Sequence, residues 1–231
     1  LLELVLRSGG GLDAAREALE GLAPDCIVVT GDVTQAGRRS EFQAAADWFA
    51  RLSAPLVVCP GNHDAPVYAV LPRLFAPFDR FKRLGAADQW TCARGRAVVR
   101  SWNTARAIQA RLDWSQGVHA PAEVDAVLRD AFDAAPAGWR VLACHHPPGP
   151  PQGAPIPVQT RHADYTRARL ATASRTVLLC GHVHQFSTEQ IGAALVVTAP
   201  TLSSSRERAH GRGFVALSLT EDGAKAERVR L

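Results

Sequence analysis

Four places in the chain set side chains that can bind a cation or move a proton directly behind a short apolar run. Gly31-Asp32 follows Cys26 to Thr30, and Pro60-Gly61-Asn62-His63-Asp64 follows Leu56 to Cys59. His145-His146-Pro147 follows Val141 to Cys144, and Gly181-His182-Val183-His184 follows Thr176 to Cys180. Five of the 8 histidines fall in the last three of these motifs. Imidazole nitrogen, carboxylate oxygen and an Asn carbonyl oxygen, without thiolate, form a mixed N/O donor set suited to zinc, manganese or iron. Glycine before Asp32, Asn62 and His182 lets the backbone turn sharply and aim the ligand. A carboxylate such as Asp32 can bridge two cations, and two ions about 3.5 to 4 Å apart clamp a phosphoryl centre. A lone histidine is more often a satisfied core or surface residue, and His119, His162 and His210, which lack such context, are expected to be structural.

The elements that must position these groups are legible. Each of the four apolar runs reads as a strand buried on both faces. Helical patterns lie between them. Leu12 to Leu22 is rich in Ala, Leu and Glu, and Ser40 to Leu52 opens on an expected capping pair, Ser40 and Gln43. Pro121 to Ala134 sets Val124, Val127, Leu128, Ala131 and Phe132 at helical spacing behind an N-terminal proline. Strands alternating with helices imply an α/β protein with a largely parallel sheet, whose strand-end loops converge on one rim. Ala194 to Thr198 and Phe214 to Leu219 read as successive strands of a second, more antiparallel sheet. No repeat or long linker divides the chain, so residues 1–231 are expected to form one domain. The Pro147 to Pro157 loop leaves from His145-His146 and is expected to border the cleft.

Composition excludes several classes. With 47% apolar and 21% charged residues, the chain is neither disordered nor a disulfide scaffold. No apolar run approaches the roughly 20 residues of a membrane span. The 26 basic residues, against 22 acidic, form no long run, and no duplex nucleic acid partner is expected. Arg206 and Arg208 read as part of a solvated loop. Five cysteines without a CxxC pair, four of them in apolar runs, read as buried free thiols in a cytoplasmic, reducing setting. The chain starts at Leu1 and contains no methionine, so it is expected to be part of a longer reading frame, from which a signal peptide could also have been removed.

In their order and wording, the four motifs resemble the calcineurin-like metallophosphoesterases, in particular the bacterial branch that includes cyclic-nucleotide phosphodiesterases. Ser40-Glu41-Phe42 and Asn103-Thr104-Ala105-Arg106 extend the likeness, which covers roughly Asp25 to His184. The resemblance implies a four-layer αββα sandwich, two packed mixed β-sheets flanked by helices. It further implies a dinuclear site of Mn, Fe or Zn. Asp32 would bridge the ions, Asn62, His145 and His182 would complete the shell of one, and His184 would serve the other. His145 is favoured over His146 because the family places Pro two residues after the ligand. His63 would stand beside the substrate, stabilising the transition state or protonating the leaving oxygen, with Asp64 holding its ring in the required tautomer. The implied reaction is attack of a metal-bound hydroxide on a small phosphate ester, more a diester than a monoester, with nucleotides among the candidates.

One family motif is absent: no Asp here is followed two places later by His. Leu1 to Arg7 is expected to be the remnant of the strand that carries it, with Ser8 next to a gap, or that strand precedes Leu1. An inactive scaffold of the same fold is the reading that a genuine loss would favour. Gly9-Gly10-Gly11-Leu12-Asp13-Ala14, with Asp32 further on, also meets a relaxed dinucleotide fingerprint, but this leaves the His-rich motifs unexplained. No GxSxG supports a serine nucleophile. Asn103 and Arg106 either face substrate or cap a strand end.

Overall fold

The computed structural model describes residues 11–92, 95–110, 113–154, 157–203 and 211–231. Expectations concerning Leu1 to Gly10, part of the Pro147 to Pro157 loop, Arg206, Arg208 and His210 lie outside these residues. Ten strands and six α-helices follow in the order α1 (Gly11–Leu22), β1 (Ile27–Val29), α2 (Arg39–Phe49), β2 (Leu56–Val58), α3 (Val70–Phe75), α4 (Asp79–Lys82), β3 (Gln89–Thr91) and β4 (Ala97–Ser101). Then come α5 (Pro121–Ala134), β5 (Trp139–Ala143), α6 (Ala163–Ala171), β6 (Thr176–Cys180), β7 (Ser187–Ile191), β8 (Ala194–Thr198), β9 (Gly213–Leu219) and β10 (Ala224–Arg230).

The large sheet runs β3-β4-β5-β6-β8-β7. Its inner strands β4, β5, β6 and β8 are parallel, and β3 and β7 are antiparallel edges. Opposite it stand the parallel pair β1-β2 and the antiparallel pair β9-β10. Val28, Val57 and Val215 meet Val99, Val141, Val177 and Val197 between these layers. Helices α1 and α2 cover the outer face of β1 and β2 through Ala15, Leu19, Phe42, Ala45 and Trp48. Helices α5 and α6 cover the large sheet through Val127, Ala131 and Leu170. The expected αββα layering is present because the inner strands β1, β2, β5, β6 and β8 carry β-branched or aliphatic residues on both faces and so need cover on both.

Three expectations are corrected. Helix α2 starts at Arg39, and Glu41, not Gln43, caps it: Glu41 Oε2 accepts the N–H groups of Arg38 (2.9 Å) and Ala36 (3.0 Å), while Gln43 bonds Asp47 one turn on. Phe132 is 55% exposed, outside the buried stripe of α5, with the Arg140 guanidinium 5.3 Å from its ring. Ala194 to Thr198 joins the large sheet parallel to β6, so only β9 and β10 form the antiparallel tail.

Candidate metal and phosphoryl site

The four motifs leave the C-terminal ends of β1, β2, β5 and β6 and meet. Gly31 and Gly61 make this possible. A Cβ on Gly31 would lie 2.7 Å from Gly61 N and 2.8 Å from His145 Nδ1. One on Gly61 would fall inside 3.0 Å of Asp32 N and Oδ1. The turns are also strained in a telling pattern. Asp32 (φ 53°), His182 (φ 71°) and His184 (φ 56°) all hold left-handed backbone, which costs a non-glycine residue of the order of 1 kcal/mol and tends to persist where function requires it.

At the centre, the His145 Nδ1–H donates to the Thr30 carbonyl at 2.7 Å. In the neutral ring this leaves the Nε2 lone pair facing Asn62 Oδ1 at 3.0 Å and Asp32 Oδ2 at 3.4 Å. Three electron-pair donors turned toward one another repel unless a cation lies among them, so these residues fit an N/O-coordinated metal. The His182 ring packs 5.2 Å from that of His145, and His184 is buried two residues further along the same turn. Burial alone would raise the Asp32 carboxyl, but the imidazoles of His145 and His63 hold it below its ordinary value. Desolvation, then the neighbouring His145, pushes His182 down to about 3, which keeps its ring neutral.

Ring nitrogens of His145, His146 and His182 all lie within 4.8 Å of one another. Proximity alone would therefore admit His146 as a ligand, but its hydrogen bonds argue otherwise. Its Nε2–H donates to the Ser115 carbonyl at 2.7 Å, and its Nδ1 accepts from the Thr104 hydroxyl at 2.9 Å. Both ring nitrogens are thus committed. Gly117 lies against the ring so closely that a Cβ there would clash with it.

Behind it, the His119 Nε2–H donates to the His146 carbonyl and Nδ1 accepts from Thr166, both at 2.9 Å. His119 is the satisfied core histidine expected, and burial pushes it down to about 4. Since the folded ring stays neutral while the unfolded one titrates near 6.5, its contribution is full above pH 6.5 and is lost as pH falls toward 4. The slope is about 1.4 kcal/mol per pH unit. Urea unfolding at pH 7 and at pH 4 to 5 reads this contribution, and His119→Leu should lessen the decline by about 1.4 kcal/mol per pH unit relative to the parent.

Asp64 departs from its expected task. Its Oδ2 accepts from Gly61 N (2.8 Å), and its Oδ1 accepts from Thr34 N (2.9 Å) and the Thr34 hydroxyl (3.0 Å). It staples the β1 and β2 turns together, and burial, then the Asp32 charge, pushes its carboxyl up to about 7. The His63 ring is oriented instead by Gln35, whose carbonyl accepts the Nδ1–H at 2.8 Å. His63 also anchors Asp32, donating its backbone N–H to Oδ1 at 3.0 Å. The Asn103 and Arg106 question resolves toward structure: Asn103 Oδ1 accepts from Ala105 N, and Arg106 forms a fork with both Glu123 oxygens at 2.8 and 2.7 Å. Thr34, Gln35 and Ser115 escape a reading of the sequence, since single polar residues in loops carry no periodic or spacing signal, and the Asn103 to Arg106 stretch does not disclose that Thr104 holds His146.

A profile of the calcineurin-like phosphoesterases matches residues 8–186. The chain belongs to that family of phosphate-ester hydrolases. It is 29% identical over 206 residues to the glycerophosphodiester phosphodiesterase GpdQ of Enterobacter lignolyticus, covering 84% of this chain and 68% of that one. It is 28% identical over 189 residues to the 3',5'-cyclic adenosine monophosphate phosphodiesterase CpdA of Escherichia coli, covering 75% and 61%. A dimetal phosphatase of Danio rerio shares the fold, with a TM-score of 0.65 at 14% identity over 94% of this chain and 85% of its own. The dinucleotide reading falls away, since the Asp32 it needed for a ribose instead faces His145.

Proposed function

We propose that this protein is a metal-dependent phosphodiesterase acting on small diesters, with Asp32, Asn62, His145, His182 and His184 holding the metals and His63 beside the substrate. The observation that carries this is the convergence of Asp32 Oδ2 and Asn62 Oδ1 on His145 Nε2, whose other nitrogen is tied to Thr30. Bound cations would supply Lewis acidity toward a phosphoryl oxygen and lower the pKa of water to about 7. The protein's own groups do the rest. The Thr30 carbonyl fixes the His145 tautomer, as an outer-shell acceptor does for a metal-bound imidazole. The Gln35 carbonyl holds one proton on His63 Nδ1, so that Nε2 would give a second proton, carried by the imidazolium form, to a departing alkoxide and be left as the neutral ring. Asp64 acts as a positioning residue that sets the spacing of the two turns.

The diester reading is supported by the relatives, whose names specify glycerophosphodiesters and cyclic adenosine monophosphate. Mn, Fe and Zn all suit the donor set. The test is turnover of bis-p-nitrophenyl phosphate against p-nitrophenyl phosphate, with metal content measured on the same samples. The diester is expected to be the better substrate, and His63→Ala to lose about 100-fold or more in kcat while keeping its metal. A preference for the monoester would reverse the substrate class, and metal-loaded protein inert toward both would favour the scaffold reading.

A further inference from the structure

Eleven large apolar side chains stand exposed among the described residues; six of them lie in residues 67–75, and Ile108 and Trp114 are two more. The most open are Tyr68 at 76% and Phe75 at 81%. Arg73 ties residues 67–75 to Ile108 and Trp114: its Nε donates to the Ala107 carbonyl at 2.9 Å and its Nη1 to the Pro66 carbonyl at 3.0 Å, and its guanidinium lies 5.3 Å from the Trp114 ring. Helix α3, at the centre, buries none of its residues. A six-residue helix is marginal by itself, and this one turns Val70, Leu71, Leu74 and Phe75 toward solvent, a few residues downstream of His63. A patch of this kind marks an interaction surface.

The charge around it points to the partner. The Arg38 guanidinium lies 5.4 Å from the Tyr68 ring, and Arg80 Nη1 donates to the Gly37 carbonyl at 2.6 Å, which brings α4 alongside. Residues 37–41 and 66–84 hold six cations against two carboxylates, Glu41 and Asp79. Glu41 is occupied by the backbone of α2, and Asp79 lies 3.8 Å from Lys82. A two-fold contact between copies of this chain would set those cations against themselves. An anionic lipid surface instead takes apolar side chains into its headgroup boundary and attracts the cations that flank them.

We propose that this face docks onto an anionic bilayer, with Tyr68, Leu71, Phe75 and Trp114 entering the interface and Arg38, Arg39, Lys82 and Arg83 meeting the headgroups. Docking of this kind needs no spanning segment, and no helix among the described residues is long and apolar enough to be one. The test is sedimentation of the full chain with phosphatidylcholine vesicles made with and without phosphatidylglycerol. Binding is expected only to the anionic vesicles, weakening as salt rises. It should drop by about tenfold or more in Leu71→Asp/Phe75→Asp and in Lys82→Glu/Arg83→Glu, variants that keep turnover of a soluble diester. No binding to anionic vesicles, or binding that both double variants retain, overturns the proposal. So does a concentration-dependent dimer that Leu71→Asp/Phe75→Asp dissolves, which would assign the face to a second copy.

Discussion

Asp32→Asn is expected to fold like the parent protein and to lose at least about 1,000-fold in kcat/KM on bis-p-nitrophenyl phosphate, equivalent to roughly 4 kcal/mol of transition-state stabilisation. The substitution isolates charge from shape. Asn tolerates the left-handed backbone at this position (φ 53°) as well as Asp does, and its carbonyl can still accept the His63 backbone N–H now held by Oδ1. What disappears is the negative charge among His145, His63 and His182, whose proximity holds the Asp32 carboxyl below its ordinary value. If Asp32 serves both cations as proposed, metal content should fall with activity. Circular dichroism and metal analysis on one preparation check the two halves of the expectation. A variant that retains a tenth of the parental kcat/KM would remove Asp32 from the site.

The second large effect is structural. Gly61→Ala is expected to destabilise the protein by about 3 kcal/mol or more and to abolish activity in whatever remains folded. Conformation is not the reason, because Gly61 has φ −103°, where alanine is at ease. Space is the reason: the added methyl would meet the Asp32 backbone and carboxylate at once, and neither can retreat while Asp64 ties Gly61 N to Thr34. Gly21→Ala provides the contrast. Gly21 lies in α1, where an added Cβ would meet nothing within 4 Å, so alanine there should be neutral or stabilising by up to about 1 kcal/mol. Chemical denaturation of the two variants reads the difference directly, and a Gly61→Ala protein of parental stability would mean that the two turns are not packed as described.

The strands that lead into the site are the most legible part of the chain, because a strand buried on both faces must be apolar throughout, as Thr176 to Cys180 is. Edge strands lack that constraint. Ser187 to Ile191 and Gln89 to Thr91 alternate or mix polar residues, and neither stands out against loop sequence. Helix α6 carries Tyr165, Arg167 and Arg169 with only Thr166 and Leu170 buried, too weak a stripe to find by periodicity. The placement of Ala194 to Thr198 differs from expectation for another reason: an apolar run declares that it is buried but not which sheet it joins. Within the site, the residue types identify the chemistry, and the orienting contacts stay hidden. Nothing in the spelling Asn62-His63-Asp64 indicates that Asp64 turns back to Thr34 while Gln35 takes the His63 ring. Likewise, only the Pro two residues after His145 sets it apart from His146 in the sequence, and the physical difference lies in their partners, Thr30 leaving one nitrogen of His145 available and Thr104 with Ser115 using both nitrogens of His146.

That difference between neighbouring histidines offers the most direct test of the metal site. Crystals of the full chain grown with manganese or zinc, with diffraction recorded at the metal edge, would locate bound ions without reference to activity. The expected result is an anomalous peak coordinated by His145 Nε2, Asn62 Oδ1 and an Asp32 oxygen, with the His146 ring still bonded to Thr104 and Ser115. A metal bound through His146, or metal-saturated crystals with no peak beside Asp32 and His145, would contradict it.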